Sequence, residues 1–178
     1  MKIDLQPIVR FMEHLPKDGD EELALLKCHL LVEEVLTKLI EKKLRHPTYL
    51  PKVRLSFDKK VWIARSLNDL EEPAWVWGAV KRLNEARNAL AHGLEVEDIQ
   101  RKLNAFIESV EAEHGAPNPE HLRGAIGRFQ WAAFHVFSLL AAHAHVELSA
   151  LEIRRRTPTL LTMDKEGGTA AAHSEPPR

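Results

Sequence analysis

One cysteine, Cys28, is all the chain has, so no internal disulfide can staple it and nothing points to an oxidising compartment. Aromatic residues are 6% of the chain, and long runs of β-branched residues are missing, which argues against a sheet. No glycine-rich phosphate loop, no Ser–His–Asp arrangement and no Cys/His/carboxylate cluster is present, so neither a bound metal nor a cofactor is implied. The opening Met1-Lys2-Ile3-Asp4 leads into no apolar run, so a signal peptide is not expected and a cytoplasmic setting is the default. Phe129 to Leu151 is the most apolar stretch, but His135, His143, His145 and Glu147 interrupt it, favouring a buried or interface helix over a membrane span.

The 178 residues suffice for one domain with a real core. Hydrophobic residues make up 44% and charged residues 29%, with Ala, Leu, Glu, Lys and Arg prominent, a composition that favours helix. The net charge of -1 excludes a broadly basic surface of the kind that wraps long duplex DNA. Locally the balance differs. Residues 45–65 hold Arg45, Lys52, Arg54, Lys59, Lys60 and Arg65 against Asp58 alone, a patch able to face phosphate, with Arg54, Lys59 and Lys60 as its candidate contacts.

Start and stop signals divide the chain into helices. Asp4 and Pro7 open the first, and Pro16-Lys17-Asp18-Gly19 ends it. Asp20, followed by Glu21 and Glu22, opens a second running to about Leu44, with Leu23, Leu26, Leu30, Leu36 and Ile40 at helical spacing. Two prolines mark residues 45–51 as a loop. Ser56 caps a third helix ending near Asp69, and Glu71-Glu72-Pro73 opens a fourth that continues to Ala91 or His92, with Gly93 as its left-handed cap. The fifth spans about Val96 to His114 and closes at Gly115. Asn118-Pro119 opens a long sixth that reaches Arg156, where Thr157-Pro158 stops it. The expected fold is all-α: a bundle of about five helices over residues 1–115, a long C-terminal helix over 116–157 that packs on the bundle or forms a dimer interface, and a disordered Gly/Ala/Ser/Pro-rich tail over 158–178.

The fourth helix carries the chemistry. On a helical wheel Val76, Ala79, Leu83, Ala86 and Leu90 form an apolar arc, while Trp77, Asn84, Asn88, Ala91 and His92 gather on a neighbouring one, with Arg87 on the border. Lys81, Arg82 and Glu85 take the solvent side. A seam of two Asn, an Arg and a His fits a groove or interface better than an ordinary solvated face. His92 stands at the helix end, where the partial negative charge suits a cation. An imidazole exchanges protons near neutrality, and an arginine clamps phosphate through paired hydrogen bonds. Asn88 is one turn from His92. The combination suits metal-free RNA cleavage, in which the 2′-hydroxyl is deprotonated, the phosphate charge stabilised and the leaving oxygen protonated. With 13 Arg and 10 His in the chain, roughly 0.7 pairs at this spacing arise by chance, and requiring Asn directly after the Arg lowers the expectation to roughly 0.02.

Those residues resemble a known superfamily. Arg, a polar residue, a few more residues and then His, late in a helical bundle, is the signature of the HEPN (higher eukaryotes and prokaryotes nucleotide-binding) domains. The context is similar as well: Leu26-Lys27-Cys28-His29-Leu30-Leu31-Val32-Glu33, then Ser56-Phe57-Asp58-Lys59-Lys60, then Leu83-Asn84-Glu85-Ala86-Arg87-Asn88-Ala89-Leu90-Ala91-His92. The likeness covers about residues 20–112, and the mannitol operon repressor family, helical regulators, is similar over the same stretch. The HEPN resemblance implies a toxin or phage-defence ribonuclease acting as a homodimer, with His92 as acid/base, Arg87 as phosphate clamp and Asn88 as the polar second residue. It also implies a cognate antitoxin of nucleotidyltransferase type, which in one subgroup modifies a Tyr two places after the His. Leu94 stands at that place, a departure from that subgroup's pattern. The repressor resemblance implies instead a non-catalytic regulator or interaction module.

Two supporting positions follow. Asn84 lies one turn before Asn88 on the same seam. Glu33 lies in line with Leu26, His29, Leu36 and Ile40, where a carboxylate needs a partner; a structural salt bridge with Arg87 or His29 is expected. Trp62, Trp75 and Trp131 read as core or interface anchors, and Trp77 joins the polar seam.

Overall fold

A computed structural model of the chain describes residues 6–16, 19–67, 74–92, 95–118 and 127–156, with side chains described as far as residue 144. Every regular element in it is helical: α1 (Gln6–His14), α2 (Glu21–Lys43), a 3-10 helix (Pro47–Val53), α3 (Phe57–Leu67), α4 (Trp75–His92), α5 (Val96–His114) and α6 (Arg128–Arg156). The protein is an all-α bundle. None of the described helices is long and apolar enough to cross a membrane. The residues expected to act at Asp4, Asp69, Glu71–Pro73, Gly93, Leu94, Pro119, Thr157–Pro158 and in the tail lie outside the described residues.

The caps explain several boundaries. Asp20 accepts the Leu23 backbone N–H at 2.9 Å, and Glu21 and Glu22 occupy the positive end of α2. The Ser56 carbonyl accepts the first bond of α3, from Lys60 N–H at 3.0 Å. Gly115 closes α5 at φ 77°, its N–H bonded to the Glu111 carbonyl. The segment read as a loop after α2 is instead a 3-10 helix. His46, Pro47 and Pro51 bar a continuing α-helix but tolerate its tighter turns, and Arg54 ends them in the left-handed region at φ 50°.

α6 begins later than Asn118-Pro119 predicts. Gly127 is non-helical, and its N–H donates to Gln130 Oε1 at 2.6 Å while its carbonyl accepts from Trp131 N–H. This is the back-reaching half of a capping box, with Gly at the cap position and Gln three residues on. Gln130 is buried and also donates through Nε2 to the Pro16 carbonyl at 3.0 Å, tying the start of α6 to the end of α1. Arg128 grips Glu111 of α5 with two parallel bonds of 2.9 and 2.7 Å.

One compact unit runs through His145. Its core is continuous, from Phe11 of α1 through Leu25, Val32, Leu36 and Leu39 of α2, Val76, Val80 and Leu83 of α4, and Phe106 of α5 to Phe129, Val136 and Leu140 of α6. Phe11 stacks on Phe137 at 4.4 Å between ring centroids, and Phe106 meets Phe129 at 5.6 Å. The second unit, Val146–Arg178, holds the last turns of α6. The α2 stripe is shifted from its expected register. Leu36 and Ile40 are buried, but Leu23, Leu26 and Leu30 face outward, and Leu25, Cys28, His29 and Val32 face the core in their place.

Candidate functional site

α4 holds the apolar arc as expected: Val76, Ala79, Leu83 and Ala86 are buried and Leu90 packs against them. The neighbouring polar arc divides in two. Trp77 and Asn84 are buried, while Asn88, Ala91 and His92, one and two turns later, are exposed. Arg87 is half-buried, and its Nη1 donates to Asn88 Oδ1 at 3.3 Å. Thus Arg87, Asn88 and His92 share the open end of α4, with Arg87 and Asn88 in contact.

The buried half is a polar network joining three helices. Asn84 Nδ2 donates to Asp58 Oδ1 in the first turn of α3 at 3.0 Å, and Asn84 Oδ1 lies 2.9 Å from His29 Nε2 on α2. A carboxylate only accepts, so the Asn amide must donate to it, and its carbonyl oxygen then accepts from His29 Nε2–H. The network thereby fixes the imidazole tautomer. His29 also stacks on Phe57 at 4.1 Å. Burial holds its pKa below the ordinary imidazole range, against the opposing pull of Asn84, Glu33 and Asp58; the Arg87 charge acts in the same direction as burial. Beside it, burial raises the Cys28 thiol well above its usual range and keeps it protonated, so Cys28 is no nucleophile.

Glu33 finds a partner other than the two expected. It accepts from Lys60 Nζ at 2.8 Å, because α3 runs along the edge of α2 where Glu33 emerges. Lys60 is therefore engaged in a partly buried ion pair, whereas Arg54 and Lys59 are exposed. Leu26 and Leu30, within a turn of His29, are 39% and 63% exposed, an apolar border on this side of α2. Among the described residues no three His, Cys, Asp or Glu side chains gather in a metal-binding cluster. His135 is instead stacked on His114 at 4.4 Å between Trp75 and Trp131.

Sequence reasoning overlooked Asp58 and the exposure of Trp62. For Asp58 a signal existed: His29 and Asn84 are polar side chains at core positions of two helices, and such groups need each other and a third partner. Trp77 is the unexplained member of the arc, buried with no hydrogen-bond partner for its indole N–H among the described residues. A scan against protein-family models finds no match, and neither do searches of curated proteins and of solved structures.

Proposed function

We propose that the protein is a metal-independent endoribonuclease of the HEPN toxin type, acting as a cytoplasmic homodimer in a toxin–antitoxin or phage-defence setting. The observation that carries the reading is the grouping of Arg87, Asn88 and His92 on the open end of α4, past the buried Asn84. His92 of each copy serves as the acid or base. One imidazole takes the proton of the ribose 2′-hydroxyl, whose oxygen attacks phosphorus, and the 5′-oxygen leaves with a proton from the other. The products are a 2′,3′-cyclic phosphate and a 5′-hydroxyl. Arg87 holds the phosphate charge, and Asn88 orients Arg87. The exposed Leu26 and Leu30 supply apolar surface for pairing two copies.

The test is RNA cleavage by the pure protein in chelator. The wild type is expected to cut and to leave cyclic phosphate ends, while His92→Ala and Arg87→Ala lose about 10²- to 10⁴-fold in rate with unchanged melting temperature. Equal cleavage by wild type and both variants would sink the idea. A second reading, a non-catalytic regulator of the mannitol-repressor kind, draws on the use of Asn84 in a purely internal network and on the Arg87–Asn88 pairing within one chain. It predicts no toxicity on expression and no cleavage.

A further inference from the structure

The chain has four Trp, one Tyr and six Phe, and all lie among the described residues. Nine of these eleven are buried or half-buried. The two in solvent are Tyr49, 61% exposed, and Trp62, 62% exposed. Both fall in the basic segment 45–65. Each has a cation over its ring from three residues further on: Lys52 Nζ lies 5.2 Å from the Tyr49 centroid, and Arg65 Cζ lies 5.9 Å from that of Trp62. Trp62 is thus no core anchor. α3 buries Phe57, Val61 and Ala64 and leaves Trp62 exposed, along with Lys59, Arg65 and Ser66.

Most cations of this segment lack the carboxylate partner that several cations elsewhere have; Lys60, paired with Glu33, is the exception within it. Arg10, Lys38, Arg101, Lys102 and Arg128 are all in ion pairs with carboxylates. Arg45, Lys52, Arg54, Lys59 and Arg65 are exposed and have no carboxylate partner among the described residues. Asp58, one turn before Trp62 and bonded to Asn84, is the one carboxylate that the segment carries.

We propose that the segment Pro47–Leu67 is a platform for single-stranded nucleic acid, with bases stacking on Tyr49 and Trp62 and phosphates meeting Lys52, Arg54, Lys59 and Arg65. A ring face accepts any unpaired base, and the flexible cation over one face of each ring is within reach of the adjoining phosphate. Duplex bases are stacked on one another and offer no free face. A bilayer is a poorer fit, because the apolar side of α3 is turned into the core and two separate rings make no continuous wedge. The proposal rests on the ribonuclease reading only for the preference of RNA over DNA.

Binding is measured by fluorescence anisotropy with the full-length His92→Ala chain in chelator, so loss of binding and loss of cleavage are read separately. The probes are a uridine-rich RNA of about 12 nucleotides, within the usual site size for such platforms, the corresponding DNA, a duplex, and vesicles of phosphatidylcholine with phosphatidylserine. The single strands are expected to bind, with affinity falling as salt rises at a log–log slope of about −2 to −4. Tyr49→Ala and Trp62→Ala each weaken binding by about tenfold. Trp62→Phe restores most of it, and Arg54→Gln or Lys59→Gln flattens the salt slope. Circular dichroism checks that these exposed substitutions leave the fold intact. Tighter binding of RNA than DNA links the platform to the ribonuclease site, and equal binding makes it a general single-strand surface. Affinity unchanged by both alanine variants, duplex bound as tightly as single strands, or binding to vesicles alone overturns the proposal.

Discussion

Asn84 and Asn88 stand one turn apart on the same arc of α4, yet they live in different chemistry. Asn84 is 6% exposed, and both ends of its amide are engaged, by His29 and by Asp58. Asn88 is exposed, and its side chain hydrogen-bonds only to Arg87 among the described residues. Between them the polar seam leaves the bundle. A buried polar group with all its bonds made positions helices; one in solvent with bonds to spare is available to a ligand. The division of labour between architecture and chemistry therefore runs along one helix rather than between domains.

Paired substitutions probe that comparison most directly. Asn84→Ala leaves His29 N–H and the Asp58 side of the network without their partner and is expected to cost about 2–3 kcal/mol in denaturant unfolding. Asn88→Ala is expected to stay within about 0.5 kcal/mol while lowering RNA cleavage. Equal stability losses at the two positions would erase the contrast. The next largest effect belongs to Gln130→Ala, which removes the cap on Gly127 and the bond to Pro16; about 1–2 kcal/mol is expected.

Acid sharpens the comparison further. Burial depresses His29, and burial followed by the neighbouring His114 depresses His135, so both imidazoles resist protonation in the folded chain. The unfolded chain takes up those protons more readily. Stability from this source is complete above the ordinary imidazole pKa of about 6.5 and declines as pH falls below it. Thermal midpoints across that window should slope upward with pH, and His29→Leu and His135→Phe should each remove part of the slope. A slope untouched by both would place the acid sensitivity elsewhere. Lys60→Met is expected to cost less than about 1 kcal/mol, because its pair with Glu33 remains partly in water. Added salt should shrink the difference between the two proteins.

The helices were legible because their ends carry local signals: Asp20, Ser56 and Gly115 act within one turn of themselves, and each works where the sequence places it. The α6 start was not, since the Gln130 cap competes with a better-known signal at Asn118-Pro119 and is reinforced from Pro16, far away in the chain. At the site, the wheel of α4 placed Val76, Ala79, Leu83 and Ala86 in the core, but it set Trp77, a core residue, on the seam. It could not tell that the seam is covered at Asn84 and open at Asn88, because cover comes from α2 and α3. The same holds for Glu33, whose partner depends on how α3 lies against α2, and for Trp62, whose exposure depends on which side of α3 the core takes.

The clasp between Gln130 and Pro16 closes a separation of 114 residues. Closing so long a span carries a large entropic cost, met only once α6 is available. During vectorial synthesis α1 leaves the ribosome with Phe11 bare, and the ring that stacks on it, Phe137, is among the last parts of the bundle to be made. Removing either α1 or α6 is therefore expected to bare the aromatic surface of the other.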